Sequence, residues 1–239
     1  MRSCGKTETR RDAYTMASRT PRGAGTKFRK LCDAGSLPVR LNHGGSGGSG
    51  VAWKTDPRHV DVEAFLPLFF EGVMETEHPY RTLAMRGAEE LVRACEEEDL
   101  LAAIPRLVMP MKRTLDGGAP AAVAATLDLL RKLTHAGPNV GSALVPYYRQ
   151  LLPAFNAYRN RGDVFVSLSD LRDGHHWREQ RVGDQSLVCE GAEVIGRGRS
   201  KRCLASLVLR TLRALEATGG VHSLPVIKYM VPSYRSISA

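Results

Sequence analysis

The chain has 239 residues, is 43% hydrophobic and carries a formal charge of +9. That is enough for one domain of ordinary size with a true core, and it argues against wholesale disorder. The five cysteines (Cys4, Cys32, Cys95, Cys189, Cys203) are scattered without a CxxC pair, and no apolar run reaches 18 residues. A disulfide scaffold and a membrane span are thereby disfavoured, and with no apolar leader at the start a soluble, non-secreted protein with reduced thiols is expected.

Residues 1–26 are rich in Arg, Ser, Thr and Gly and hold almost no large apolar side chains. Such a stretch cannot bury enough surface to offset the entropy of ordering, so it reads as a basic arm without fixed structure. A transit peptide is the competing reading, since the stretch is Arg-rich and acid-poor, but an amphipathic apolar face is missing. Phe28-Arg29-Lys30 closes the arm as an aromatic flanked by charge, either an anchor for a partner or a contact of the tail with the core. Residues 44–50 are a Gly/Ser linker. The predicted organisation is therefore an arm and linker over 1–50 and a helical-repeat domain over 51–239.

From residue 61 the pattern turns helical. Over 62–74 the apolar residues Phe65, Leu66, Leu68, Phe69 and Val73 cluster at helical spacing, with Pro67 placed in the first turn, where a missing N–H is harmless. A second helix is predicted over 79–95, burying Leu83, Met85, Ala88, Leu91 and Val92. The run Glu96-Glu97-Glu98-Asp99 then brings negative charge to the favourable end of the next helix. That third helix covers 100–115, interrupted by Pro105 and Pro110. A fourth, dense in Ala and Leu, covers 120–134 and stops at Ala136-Gly137-Pro138. A fifth covers 140–158 and holds Pro146 and Pro153. Residues 161–199 are rich in Gly and Arg, with apolar flashes at Val164-Phe165-Val166 and Leu187-Val188 that sustain no period, and read as an irregular insertion. Helical signal resumes over 200–218 with Leu204, Leu207, Val208, Leu212 and Leu215 on one face, Gly219-Gly220 ends it, and 226–234 forms a short helix or turn.

Two of these segments resemble each other. Ile104-Pro105-Arg106-Leu107-Val108-Met109-Pro110 and Val145-Pro146-Tyr147-Tyr148-Arg149-Gln150-Leu151-Leu152-Pro153 lie about forty residues apart, near the HEAT/armadillo period of roughly 40–47. The predicted fold is all-α: an armadillo/HEAT-like α–α superhelix with an unstructured basic N-terminal arm.

Charge is unevenly placed. Residues 1–43 hold ten Lys/Arg against three Asp/Glu, residues 51–160 twelve against fourteen, and residues 161–239 twelve against eight. A basic arm on a nearly neutral body attracts polyanions: nucleic acid, anionic lipid or the acidic surface of tubulin. Catalytic signatures are missing: there is no GxGxxG, Walker loop, GxSxG or HExxH. His175-His176 with Cys189 could be imagined as a metal site, and Glu71, Glu75 and Glu77 as an acid/base group, but a solvated loop and surface charge account for them. Cys95 and Cys203 sit on helices at expected buried positions and read as inert thiols. The sequence thus predicts a non-enzyme without metal or cofactor. Tyr and Arg anchor protein interfaces, so Tyr147, Tyr148 and Arg149, together with Tyr229 and Tyr234 near the end, are candidate contacts. In the arm the candidates are Arg10, Arg11, Arg19, Arg22, Lys27, Phe28, Arg29 and Lys30.

Several strings resemble, in order, the parkin co-regulated gene protein family. They are Phe28-Arg29-Lys30, Val51-Ala52-Trp53-Lys54, Leu66-Pro67-Leu68-Phe69-Phe70-Glu71-Gly72, the run from Ala143 to Pro153, and Ile227-Lys228-Tyr229-Met230-Val231-Pro232-Ser233-Tyr234. The resemblance implies an armadillo-like protein of ciliary and flagellar doublet microtubules, placed at the inner junction where the B-tubule closes onto the A-tubule. Its implied partners are the α- and β-tubulin lattice, a small all-β junction protein and other axonemal proteins, with no membrane partner. Residues 161–199 have no counterpart in the family pattern, which joins these helices by a shorter loop. Two other readings remain open: a cytosolic helical-repeat adaptor, and a nucleic-acid-binding repeat, which the acid excess of residues 51–160 disfavours.

Overall fold

The computed structural model describes residues 25–42, 50–159, 164–167, 193–196 and 199–236. Within these the protein is mostly helical, as the periodicity requires. Helix α1 (Lys27–Asp33) starts at Thr26, whose hydroxyl accepts from the Arg29 amide. The described structure thus already includes a helix within residues 1–50, the segment assigned to the arm and linker. Strands β1 (Val39–Asn42) and β2 (Gly50–Trp53) follow as an antiparallel pair with Val39 opposite Trp53.

Helix α2 (Val62–Gly72) begins where Asp61 accepts from the Ala64 amide at 3.0 Å. Pro67 lies in the interior of this helix and not in its first turn. The helix tolerates the lost hydrogen bond because Leu66, Phe69 and Phe70 are fully buried around it. Helix α3 (Tyr80–Ala94) buries Leu83, Ala84, Ala88, Leu91 and Val92, with the predicted Met85 only half-buried at the edge of that stripe.

Helix α4 (Glu97–Gly117) runs unbroken through Pro105 and Pro110, which were expected to interrupt it. Pro105 is exposed and Pro110 half-buried, so the carbonyls they leave unpaired lie away from the seam formed by Leu100, Ile104, Leu107, Val108 and Met111. Burial of that seam outweighs the local cost of the prolines. Helix α5 (Pro120–Thr134) matches its predicted bounds and is buried on nearly every side. The fifth predicted helix is three pieces: α6 (Val140–Leu144), a 3-10 turn (Val145–Tyr147) and α7 (Tyr148–Arg159). Pro146 sits in the 3-10 turn, where its ring and missing N–H are accommodated, and Pro153 lies within α7.

The segment read as irregular holds strands among its described residues. Strands β3 (Phe165–Ser167), β4 (Glu193–Gly196) and β5 (Arg199–Cys203) form a small sheet in the order β3-β5-β4, with antiparallel pairs. Val166 is fully buried in the core, and the Leu204 amide donates to the Val164 carbonyl at 2.8 Å. A buried Val166 ties β3 to the body without needing any sustained period. Helix α8 (Leu204–Thr218) thus starts after β5 and not at residue 200, and α9 (Ser223–Met230) closes the fold.

Helix α2 packs on α3 and α4, α4 on α7, α5 on α8, and α9 on both α7 and α8. One core runs through all of them, from Phe28 and Phe69 through Met111 and Leu130 to Tyr148, Leu212 and Ile227.

Candidate functional site

The candidate residues fall on two surfaces. At the first, the carboxylates of Glu71, Glu75 and Glu77 meet the N-terminus of α1. The Thr26 amide and hydroxyl donate to Glu75 Oε1 at 3.0 and 2.6 Å, and the Lys27 amide donates to Glu71 Oε1 at 3.0 Å. Negative charge at a helix start is favourable because the first amides have no partner within the helix. The Arg29 guanidinium reaches Glu77 at 2.8 Å and Glu75 at 3.8 Å, and lies 4.6 Å from the centre of the Tyr80 ring. The hydrogen bond to Glu77 holds the Arg29 pKa above its ordinary value. Tyr80 in turn donates to Asp33 at 2.6 Å. Glu75 is only 8% exposed, so it is a docking residue for α1 and not the surface charge that the sequence suggested.

This arrangement bears on two of the arm candidates, and for Phe28 it favours the second reading, a contact of the tail with the core. Phe28 is fully buried, with its ring 5.8 Å from that of Phe69, and it serves the core instead of reaching a partner. Arg29 is committed to Glu77, Glu75 and Tyr80, whereas Lys27 and Lys30 are exposed. Arg10, Arg11, Arg19 and Arg22 lie outside the described residues. Substituting Glu75→Ala should remove both Thr26 hydrogen bonds to a buried carboxylate and cost about 2 kcal/mol. Urea unfolding checks the size, and faster amide exchange confined to α1 checks the place. Unchanged exchange in α1 would mean that Glu75 does not hold it.

The second surface lies where α9 meets the turn before α7. Tyr148 is fully buried, donates to the Leu215 carbonyl at 3.1 Å, and has its pKa pushed up to about 12 by burial. Tyr234 is 3% exposed and donates to Glu216 at 2.5 Å; burial pushes its pKa up as well. Both tyrosines therefore hold the C-terminal helices to the body, and neither is available as a contact. Tyr147 is half-buried against the core, while Arg149 and Tyr229 are exposed, Tyr229 by 77%. Asn156 fixes α9 to α7 by donating to the Met230 carbonyl at 2.6 Å.

Between these elements an open cleft of about 540 Å³ is lined by Ser142, Val145, Pro146, Arg149, Gly219, His222 and Val226. Of these only Arg149 was legible in the sequence. The others come from segments more than seventy residues apart that meet only in the fold, so no local spacing could have brought them together.

The Cys95 thiol donates to the Leu91 carbonyl, and burial pushes its pKa up to about 11, which suits an unreactive thiol. Among the described residues no three His, Cys, Asp or Glu side chains gather as a metal site would require. His175, His176 and Cys189 lie outside the described residues.

Fold and surfaces together define a predominantly α-helical protein, built on one core, with its remaining exposed candidates at the start of α1 and around the α7–α9 cleft. The profile of the family described as Parkin co-regulated protein matches residues 26–236. A mouse protein, the Parkin coregulated gene protein homolog, is 33% identical over 211 residues, covering 88% of this chain and 76% of the mouse protein. The chain belongs to the Parkin co-regulated protein family. The match starts at Thr26, the capping residue of α1.

Proposed function

We propose that this chain is a structural, non-catalytic microtubule-binding protein of ciliary and flagellar doublet microtubules, bridging the A- and B-tubules at the inner junction. One observation carries the reading: a basic segment adjoins a stretch with a slight acid excess, residues 51–160, at a helix whose position is fixed by Glu71 and Glu75. Exposed Lys27 and Lys30 continue that basic segment onto the body. A cationic element held in this way suits an extended acidic lattice such as tubulin's, where many weak contacts add along one direction. Its partners would be α- and β-tubulin, a small all-β junction protein and other axonemal proteins. The proline-bearing helices α4 and α7, about forty residues apart and packed on each other, favour an armadillo/HEAT-like arrangement of the helix pairs. No helix among the described residues is long and apolar enough to cross a membrane.

Axoneme fractionation tests the reading. The protein should stay with doublets at low ionic strength and leave them in a high-salt extract, because its binding is largely electrostatic. Recovery in the soluble cytosol before any salt is added would overturn the axonemal assignment. The apolar cleft beside Arg149 favours a second reading, a cytosolic adaptor, and that outcome would support it.

A further inference from the structure

The α7–α9 cleft has a composition that selects its occupant. Its floor is apolar, made by Val145, Pro146 and Val226, and its cationic or protonatable lining residues are Arg149 and His222. No acidic side chain is among its described lining residues. Arg149 is exposed, and neither the Arg149 nor the His222 side chain makes a hydrogen bond or ion pair among the described residues. Some other cations of this body are drawn into carboxylates, among them exposed Arg93 to Glu89 and Arg106 to Glu63, which leaves the Arg149 guanidinium open to an incoming carboxylate. On α9, His222, Val226 and Tyr229 recur at intervals of four and three, which puts them along one face of the helix. Tyr229, one of the few large apolar side chains left exposed among the described residues, thus follows Val226 on the same helical face.

We infer that this cleft binds a short acidic peptide segment of a partner protein: an aliphatic side chain rests on Val145, Pro146 and Val226 while flanking carboxylates pair with Arg149 and His222. A guanidinium is suited to this because its planar fork takes a carboxylate through two parallel hydrogen bonds. Tyr229 would cover the segment from the outer side, in the manner of an aromatic at an interface. The inference rests on the reading of this chain as a binding protein, but it does not require that the partner be a microtubule.

The test uses the full chain and a fluorescein-labelled peptide Glu-Glu-Leu-Glu-Glu, read by fluorescence anisotropy, with Lys-Lys-Leu-Lys-Lys as the charge-reversed probe. The acidic peptide should bind and the basic one should not. Arg149→Glu should weaken binding about tenfold or more, Arg149→Lys should restore part of it, and Tyr229→Ala should weaken it less. Both residues are exposed, so these variants keep the fold, which a melting curve verifies. Arg58→Glu makes the same charge change at an exposed residue outside the cleft and should leave binding intact. Absence of peptide binding, equal losses in the Arg58 and Arg149 variants, or self-association of the chain that Arg149→Glu abolishes would each overturn the proposal. Since no microtubule is present, these outcomes are independent of success or failure in axoneme fractionation.

Discussion

Deleting residues 1–24 should weaken binding to microtubules by roughly 30-fold at physiological salt while leaving the melting temperature unchanged. The deleted stretch holds six Lys/Arg against Glu8 and Asp12, a surplus of four positive charges. At about 0.5 kcal/mol for each exposed charge near an acidic surface, the loss is about 2 kcal/mol, which gives that factor. The effect is screened beyond a Debye length of about 8 Å, so wild-type binding should fall steeply as salt rises and the truncated chain should show a shallower slope. Stability should persist because the cut lies before Thr26, so the cap of α1 and its hydrogen bonds to Glu75 remain. Co-sedimentation over a salt series reads the binding. Equal curves for the two proteins would move the contact to Lys27, Lys30 or the α7–α9 surface.

Phe28→Ala should produce the largest loss of stability of any single change near the N-terminus. The ring is fully buried, tilted against Phe69, and lies so close to Gly72 that a Cβ there would stand 2.5 Å from it. Truncating a buried phenylalanine costs about 3–5 kcal/mol, which in a domain of this size lowers the melting temperature by on the order of 10 °C. The loss has a ceiling, since α1 can come away from the body once undocking costs less than keeping a cavity. Lys30→Ala, two residues later on the exposed side, should stay within about 0.5 kcal/mol of wild type. Thermal unfolding of the pair separates the two roles. If Phe28→Ala melted like wild type but lost microtubule binding, Phe28 would be an anchor after all.

Long periodic segments were legible, and isolated short ones were not. The Ala- and Leu-rich run of α5 fixed both its ends, because its length and the Gly-Pro stop left no competing pattern. Helix α1 went unseen because seven residues with one buried aromatic carry too little period, and its decisive contacts come from Glu71 and Glu75 some forty-five residues away. Strand β3 was hidden for a similar reason, since a single buried valine gives no alternation. Proline misled in both directions: two prolines failed to break α4, while the stretch around Pro146 became a 3-10 turn. Propensity gave way to the apolar seam in α4, whereas the shorter α6 had too little buried surface to carry the helix onward. Among the candidate contacts, residue type alone could not separate buried Tyr148 and Tyr234 from exposed Tyr229.

The paired strands β1 and β2 have a bearing on how this chain can be altered. Their ladder runs from Val39 opposite Trp53 to Asn42 opposite Gly50, so the two ends of the connecting segment are held about 5 Å apart by the sheet itself. Lengthening a connection between fixed ends costs only about 0.6 kcal/mol for each doubling of its length. A longer segment spliced between residues 42 and 50 should therefore leave Trp53 and its hydrogen bond to Glu90 at 2.6 Å undisturbed. The same position offers a graft point for an epitope or fluorescent domain that leaves both chain termini as they are.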